Sequence, residues 1–253
     1  MQIAKIKELA THPIKGLSPH RLEQVTVEVG GTFPLDRAYA IENGPTGFDP
    51  ANPQHIAKTK FIVLARFANL AGLHCRFDLK THEIRIFQEC EEVCHANLQT
   101  PVGRHAVETF FNIEMAAVLS GPAKVLQCDG HSFSDLREKR IHVVNLETVK
   151  QLSKETGIHL DPSRFRGNIL IEDIPPFSEL EWAEKSITSG DVKFRFHKPT
   201  KRCAAVDVNP ETAERDTKLP SHLFKTHGHM SVGVYLEVMQ GGTMSCGDDL
   251  VIA

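Results

Sequence analysis

The stretch VGVYLEVMQGGTMSCGDDLVI, residues 232–252, predicts two β-strands on either side of a Gly241–Gly242 turn. Apolar and polar residues that alternate with a period of two are typical of a strand with one buried face. The same signs recur in RLEQVTVEV (21–29), DRAYAIEN (36–43), AGLHCRFDL (71–79), EIRIFQE (83–89), AKVLQCD (123–129), RFRGNILIE (164–172) and DVKFRFHKP (191–199). Many short strands and few helices predict a mainly β protein (α+β) built from barrel or sandwich modules.

Two segments favour helices instead. GRHAVETFFNIEM (103–115) is moderately periodic, and NLETVKQLSKETG (145–157) is the stronger case. Asn145 can cap the second helix, and Gly157 can end it. Residues 43–55 hold three prolines and two glycines and are predicted to form a loop. A new unit starts near Gly121–Pro122, so we predict domains at residues 1–118 and 119–253.

Composition narrows the function classes. The chain has 253 residues, 41% of them hydrophobic, and a net charge of -3, so no basic footprint for nucleic acid is present. The opening MQIAKIKELA has no long apolar run, and no stretch approaches the roughly 20 apolar residues that span a bilayer. Six scattered cysteines do not resemble a disulfide framework. We therefore expect a cytoplasmic protein with reduced thiols and with neither a membrane nor a nucleic acid as its partner.

The segment KPTKRCAAVDVNPET (198–212) places one cysteine after three cations and before a short alternating stretch that indicates a strand. A thiol beside Lys201 and Arg202 loses its proton more readily, and a thiolate attacks electrophiles or binds soft metals. The alternative is that Cys203 acts as a small buried hydrophobe, as free cysteines commonly do. The local stretch leaves both interpretations open.

Several cations form a possible anion site. Lys15 lies in the proline-constrained THPIKGLSP, and Arg166 and Asn168 lie at the start of a predicted strand. Together with Lys201 and Arg202 they could hold a phosphate, because arginine makes forked contacts and lysine supplies a point charge. Taken singly, each is more often a solvated surface cation, and spacing alone does not show convergence.

Other candidates are weaker. Cys90 and Cys94 lie near His82 and His95, but zinc sites usually need a second ligand pair, and none is visible. Ser132 in GHSFSDL lacks the final glycine of the nucleophile elbow, so a serine hydrolase is disfavoured. His227 and His229 are expected in a solvated loop. The remaining cysteines are expected in the strand core, namely Cys75, Cys128 and Cys246.

The motifs taken in order resemble the MOSC family, named for the C-terminal domain of molybdenum cofactor sulfurase, together with its accompanying N-terminal β-barrel domain. The resemblance covers nearly the whole chain. In the N-terminal half it rests on HPIKGLSP (12–19), FPLDRAYAIENG (33–44) and AKTKFIVLARFANLAGL (57–73). In the C-terminal half it rests on RFRGNILIEDIPPFSELEW (164–182), KRCAAVDVNPETAERD (201–216), VGVYLEV (232–238) and GTMSCGDDLVI (242–252).

The resemblance implies an N-terminal β-barrel-like domain, a C-terminal MOSC β-barrel and a molybdenum–molybdopterin cofactor. Cys203 would be the catalytic residue and the metal ligand. The implied cofactor-binding residues are Lys15, Lys58, Asn145, Arg166, Asn168, Lys201, Arg202 and Tyr235. Gly16 and Gly167 depart from the serine and proline that are common in relatives, but neither departure removes a charge.

Relatives that reduce N-hydroxylated compounds, such as the mitochondrial amidoxime-reducing component, imply a molybdenum-dependent oxidoreductase that is independent of pyridoxal phosphate. Its substrate would be a small N-hydroxylated or N-oxide compound. Electrons would come from a separate flavin or iron–sulfur protein, because the chain shows no G-x-G-x-x-G fingerprint and no ferredoxin-like cysteine run. Asp207 could deliver protons or could point away from the site.

Two alternatives stay open. The protein could be a carrier of molybdenum cofactor or a sulfur relay that uses Cys203, since a low thiol pKa serves those roles equally well. It could also be a β-barrel interaction domain with a vestigial site, although the retained cysteine and cations argue against this.

Overall fold

The protein is described by a computed structural model of residues 1–253, in which β-strands predominate. The strands are β1 Gln2–Thr11, β2 His20–Leu22, β3 Gln24–Val27, β4 Tyr39–Ile41, β5 His74–Phe77, β6 Glu83–Gln88, β7 Glu91–Asn97, β8 Val125–Gln127, β9 Ile141–Asn145, β10 Ile169–Glu172, β11 Ile187–Ser189, β12 Val192–Lys201, β13 Ser231–Gln240, β14 Gly242–Ser245 and β15 Asp249–Ile252. The α-helices are α1 Pro101–Glu114, α2 Leu146–Thr156 and α3 Leu219–His227. None of them combines the length and apolar character needed to cross a bilayer.

Seven strands close into a barrel, in the order β1–β10–β9–β13–β12–β11–β15 and back to β1. Only the β9–β10 pair in this ring is parallel. Alternate side chains of β13, Val234, Leu236 and Val238, point into the barrel and are at most 1% exposed. Trp182, also 1% exposed, joins the same apolar core. The predicted mainly β fold with a few helices is confirmed.

The first strand of the chain closes the barrel that is otherwise built from C-terminal strands. β1 pairs with both β10 and β15, so Leu9 lies opposite Ile169 and Ala4 lies opposite Leu250. β3 pairs in turn with β14. The N-terminal segment therefore completes the C-terminal core, and a division at residues 118 and 119 stays a prediction.

A second core occupies the rest of the N-terminal half. A three-stranded antiparallel sheet, β5–β6–β7, packs with helix α1 and with the two-stranded β4–β8 ladder. This confirms the strands predicted within residues 71–79 and 83–89 and the helix predicted at 103–115. Thr100 caps α1, because its side chain accepts a hydrogen bond from the Gly103 amide at 3.0 Å. Gly103 has no substitute here, since a Cβ atom would lie 1.9 Å from the Asn97 carbonyl oxygen.

Helix α2 follows its sequence signals closely. The Asn145 side chain accepts a hydrogen bond from the Glu147 amide at 3.0 Å, and Gly157 ends the helix in the left-handed conformation. Val149 and Leu152 are buried against a small core shared with α3. This helix pair lies behind the segment that carries Cys203, because Val206 belongs to the same core.

Several local predictions are wrong. The segment after Cys203 is a 3-10 helix over Ala204–Asp207 rather than a strand. The C-terminal stretch forms three strands instead of two, because Cys246 and Gly247 turn the chain between β14 and β15. Cys128 and Cys246 also lie just outside the strands predicted for them.

The residues before β10 are likewise not extended. A 3-10 helix spans Pro162–Phe165, and Arg166 then takes a left-handed conformation with φ of 54°. The strand predicted from residue 164 therefore begins only at Ile169.

We expect Leu9→Ala to lower the free energy of unfolding by about 2–5 kcal/mol, because the fully buried side chain belongs to the barrel core. Lys7→Ala on the same strand is the control and should change it by less than about 0.5 kcal/mol, since the Lys7 side chain is 61% exposed. Denaturant unfolding followed by circular dichroism measures both. Equal, small effects would contradict a barrel closed by the first strand.

Candidate functional site

One cleft collects eight of the nine residues that the sequence singled out. They are Lys15, Lys58, Arg166, Asn168, Lys201, Arg202, Cys203 and Tyr235. The cleft encloses about 920 Å³ of empty space when its solvent-open mouth is included. Side chains from both halves of the sequence meet in it.

Asn145 does not belong to the cleft, so its predicted role in cofactor binding is corrected. Its side chain is fully buried and caps helix α2. Its amide nitrogen donates to the Pro175 carbonyl at 2.9 Å and to the Glu179 carboxylate at 3.0 Å. These partners satisfy the side chain within the protein core.

Cys203 is a free, partly exposed cysteine two residues after the end of β12. The following turn is anchored by Val206, which is 1% exposed, and by Asp207, whose carboxylate accepts a hydrogen bond from the Leu219 amide at 2.8 Å. Asp207 thus faces the start of α3 and does not line the cleft. Burial raises the pKa of Asp207. The geometry favours its alternative interpretation, in which it points away from the site.

Two lysines share one carboxylate beside Cys203. The Lys15 ammonium donates to the Phe133 carbonyl at 2.8 Å and to Asp135, while the Lys58 nitrogen lies 3.4 Å from Asp135. Burial lowers the pKa of Lys15 despite this ion pair. At Lys58, burial acts in the same direction, but the interactions with Asp135 and Cys203 outweigh it and raise the pKa.

Backbone packing explains why position 16 is a glycine rather than a serine. Its φ is 89°, in the region that glycine tolerates, and a Cβ atom would lie 2.6 Å from the Ile62 carbonyl oxygen. The backbone of the Lys15 loop therefore approaches the Ile62–Val63 backbone more closely than a serine would permit. This accounts for the departure at position 16.

Two partly buried arginines also line the cleft. Arg202 donates to the Phe165 carbonyl at 2.7 Å and lies over the Phe165 ring, with its guanidinium carbon 5.4 Å from the ring centre. Arg166 donates to the Leu17 carbonyl at 2.8 Å. Burial, followed by the charge of Arg37, lowers the pKa of Arg166 to about 9. Arg166 Nη2 and Arg202 Nε are buried and have no hydrogen-bond partner within the protein.

Strand alternation directs His142 and Tyr235 toward the cleft. They are directly opposite each other on β9 and β13, while Ile141 and Val143 point into the barrel. Their rings lie 5.1 Å apart, and His142 Nε2 lies 3.3 Å from Arg202 Nη1. Burial and then the Arg202 charge lower the pKa of His142, whereas burial raises the pKa of Tyr235.

The sequence analysis did not single out the ion pair between Asp36 and Arg37 in the cleft. Asp36 is 4% exposed and pairs with Arg37, which also lines the cleft. The Asn168 amide donates to the Asp36 carboxylate at 3.0 Å and to the Ala10 carbonyl at 3.1 Å. The pKa of Asp36 lies well below its usual range because Arg37 and His12 outweigh the effect of burial. The only sequence signal was the position of both residues within FPLDRAYAIENG.

The cleft is strongly cationic in a protein of net charge -3. Eight lysine and arginine side chains line it, against two carboxylates, Asp36 and Asp135. Such concentration of one sign within a concave site attracts ligands of the opposite sign. The arrangement is therefore suited to an anionic ligand held next to a free thiol.

The structure does not form a serine hydrolase site from Ser132 or a zinc site from Cys90 and Cys94. The Ser132 hydroxyl donates to the Asp36 carbonyl at 2.7 Å and so has a structural role. Cys90 is exposed in a turn, and Cys94 lies in β7. No group of three potential metal ligands includes either cysteine. His227 ends helix α3 and is 19% exposed, so the expected solvated loop is wrong for this residue.

The buried His12 predicts a pH dependence of stability. Burial, then Arg37 and Arg166, lower its pKa in the folded state from 6.5 to about 3. The unfolded chain therefore binds one more proton than the folded chain between these values, and stability is lost as the pH falls from about 6.5 toward 3. We expect His12→Asn to reduce the slope of unfolding free energy against pH by about 1.4 kcal/mol per pH unit in this window.

Chemical denaturation across a pH series measures this slope. His105→Asn is the control, because the His105 side chain is 80% exposed. An unchanged slope in His12→Asn would contradict a neutral, buried His12.

Comparisons with known proteins agree with this architecture. The profile of the MOSC domain matches residues 123–251, and that of the MOSC N-terminal beta barrel domain matches residues 3–119. Molybdenum cofactor sulfurase from Drosophila mojavensis is 29% identical over 121 residues, which is 44% of this chain and 15% of the relative. The protein of that name from Drosophila ananassae is 29% identical over 129 residues, or 49% of this chain and 16% of the relative.

A solved structure supports the fold across the whole chain. The YUAD protein from Bacillus subtilis superposes with a TM-score of 0.51 at 12% sequence identity, covering 99% of this chain and 96% of that one. The likeness concerns the fold alone. The two family profiles match consecutive parts of the chain, and the structure contains a closed β-barrel. This chain therefore belongs to the MOSC domain family.

Proposed function

We propose that the cleft binds molybdenum cofactor, with Cys203 as the protein ligand to the metal. The observation that carries the proposal is a free, partly exposed thiol within a cleft lined by eight cationic side chains. Membership of the MOSC family and the similarity to proteins named molybdenum cofactor sulfurase support the choice of cofactor. Thiolates are suitable ligands for soft, thiophilic metals.

The residues present fit this group. Buried donor atoms without a partner, Arg166 Nη2 and Arg202 Nε, line the same cleft as the hydroxyl of Thr200, which is also unpaired. A buried donor without a partner costs free energy that an anionic oxygen would recover. We assign the cofactor phosphate to Arg166, Arg202 and Lys15, because guanidinium groups make forked contacts with phosphate oxygens.

The proposed reaction is the reduction of a small N-hydroxylated or N-oxide compound. Two electrons and two protons convert an N–OH group into N–H and water, with the electrons supplied by a separate flavin or iron–sulfur protein. The cofactor, when bound, supplies the redox chemistry, and the protein supplies binding and orientation. Lys58 holds a proton at Nζ and so keeps a positive charge beside Cys203, as its raised pKa indicates.

We expect protein from a molybdate-fed host that makes the cofactor to contain about one molybdenum per chain, and Cys203→Ser to lose it, because a single protein thiolate is the proposed metal ligand. Elemental analysis of the purified proteins measures this. Cys90→Ser is the matched control, since Cys90 is exposed and lies outside the cleft. Equal metal in wild type and Cys203→Ser would contradict Cys203 as an essential ligand.

The predicted anion site has its own test. Arg166→Gln should retain less cofactor than Arg195→Gln, because Arg166 lines the cleft with an unpaired donor while the Arg195 side chain is 63% exposed on β12. Pterin fluorescence after oxidative release measures the cofactor independently of the metal. Equal retention would argue against phosphate binding by Arg166.

A second candidate is a cofactor carrier or sulfur relay. Two observations favour it: the similar proteins are named sulfurases, and the Cys203 thiol is partly exposed. Turnover of an N-hydroxylated amidine with a chemically reduced viologen as the electron donor would support the reductase. Cofactor bound tightly without turnover would support the carrier, and a persulfide found on Cys203 by mass spectrometry would support the relay.

A further inference from the structure

A cluster away from the cleft joins the C-terminal end of α2 to helix α3. Glu155, near the end of α2, accepts hydrogen bonds from His222 and His227 of α3. The Nε2 atoms of the two imidazoles lie 3.0 Å and 2.9 Å from the same oxygen, Glu155 Oε2. One ligand atom from each residue lies within 4.8 Å of the others. This is the one group in the structure with three such metal-ligating atoms.

We propose that Glu155, His222 and His227 form a zinc site that ties α2 to α3. Two imidazole nitrogens and one carboxylate oxygen are a common ligand set for this ion. Zinc bonds of 2.0–2.1 Å in tetrahedral geometry place neighbouring ligand atoms roughly 3.3 Å apart. The two nitrogen–oxygen separations of 2.9 and 3.0 Å need to open by only a few tenths of an ångström, and the nitrogen–nitrogen separation, which lies within 4.8 Å, has to reach the same length.

The surroundings orient the ligands. Gln151 donates to the other Glu155 oxygen at 2.8 Å, which fixes the carboxylate as outer groups do at metal sites. The Phe177 ring lies 4.5 Å from the His227 ring and restricts its rotation. The three side chains are 19–26% exposed, so an ion can enter and water can complete the coordination.

The sequence pair His227 and His229 is not the ligand pair. The His229 ring lies 5.9 Å from the His227 ring, and its Nδ1 accepts a hydrogen bond from the Ser231 amide at 3.2 Å. His222 was not apparent from the sequence, because it lies five residues before His227 and converges with it only through Glu155. His229 therefore provides a matched control.

Metal binding also needs a change of tautomer in both imidazoles. Without metal, each ring donates its Nε2 proton to Glu155; with metal, that proton resides on Nδ1 and Nε2 is free to coordinate. The inference is independent of the proposed reaction, since the cluster lies outside the cleft. Its expected effect is on the helix pair that packs behind Val206 and the Cys203 turn.

Zinc titration of the chelator-treated full chain tests the proposal, using a chromophoric competitor. All proteins carry Cys203→Ser, so the cleft thiol cannot bind the added ion. We expect about one zinc per chain in this background and in His229→Asn. Binding should weaken more than about 100-fold in His222→Asn and His227→Asn, because loss of even a supporting residue costs 10–100-fold. Gln151→Ala should lie between these limits.

Cobalt spectra identify the ligands. Cobalt should give visible d–d bands without a thiolate charge-transfer band, and His222→Cys should restore binding and add that band. Zinc should also raise the melting temperature of the background protein and of His229→Asn, but not that of His222→Asn. Three results would overturn the site. They are equal zinc affinity in His222→Asn and His229→Asn, a thiolate band in the background protein that lacks the His222→Cys change, and no zinc binding at all. The Glu155 cluster would then be a hydrogen-bonded helix contact.

Discussion

The buried carboxylate of Asp36 is the interaction on which the cleft depends. It accepts hydrogen bonds from the His12 amide at 2.9 Å and the Asn168 side chain at 3.0 Å, and it pairs with Arg37. These contacts join the end of the first strand to the start of β10, where Arg166 also lies. Removing one partner of a buried ion pair lowers protein stability by about 3–5 kcal/mol. The Asp36–Arg37 pair therefore stabilises the residues that line the cleft and also contributes to its charge.

The remaining charge imbalance gives the cleft its character. Asp36 and Asp135 offset part of eight cationic charges, and two buried guanidinium nitrogen atoms stay unpaired. Folding brings these like charges together at a cost that an anionic ligand would reduce. The anion-binding role and the placement of Cys203 are thus consequences of one arrangement, in which Arg202 and Cys203 directly follow β12 and both line the cleft.

The sequence predicted much of this site, because its motifs carried the charged residues and the free cysteine. It could not predict Asp36 and Arg37, whose pairing with Asn168 depends on contacts across more than 130 positions. The strand predicted after Cys203 illustrates another limit. Val206 and Asp207 alternate as a strand would, but a tertiary contact decides the conformation, since Asp207 binds the first amide of α3.

Asn145 shows how one residue can support two incompatible predictions. Its helix-cap role followed from local sequence and is confirmed, and the same contacts remove it from the cleft. The first strand shows the opposite case, in which pairing with β10 and β15 has no local signal.

X-ray absorption at the molybdenum edge of loaded protein tests the central claim most directly, because it counts the sulfur atoms bound to the metal. The account predicts one fewer sulfur neighbour in any metal retained by Cys203→Ser than in wild type, and an unchanged count in Cys90→Ser. An identical sulfur count in wild type and Cys203→Ser would contradict it.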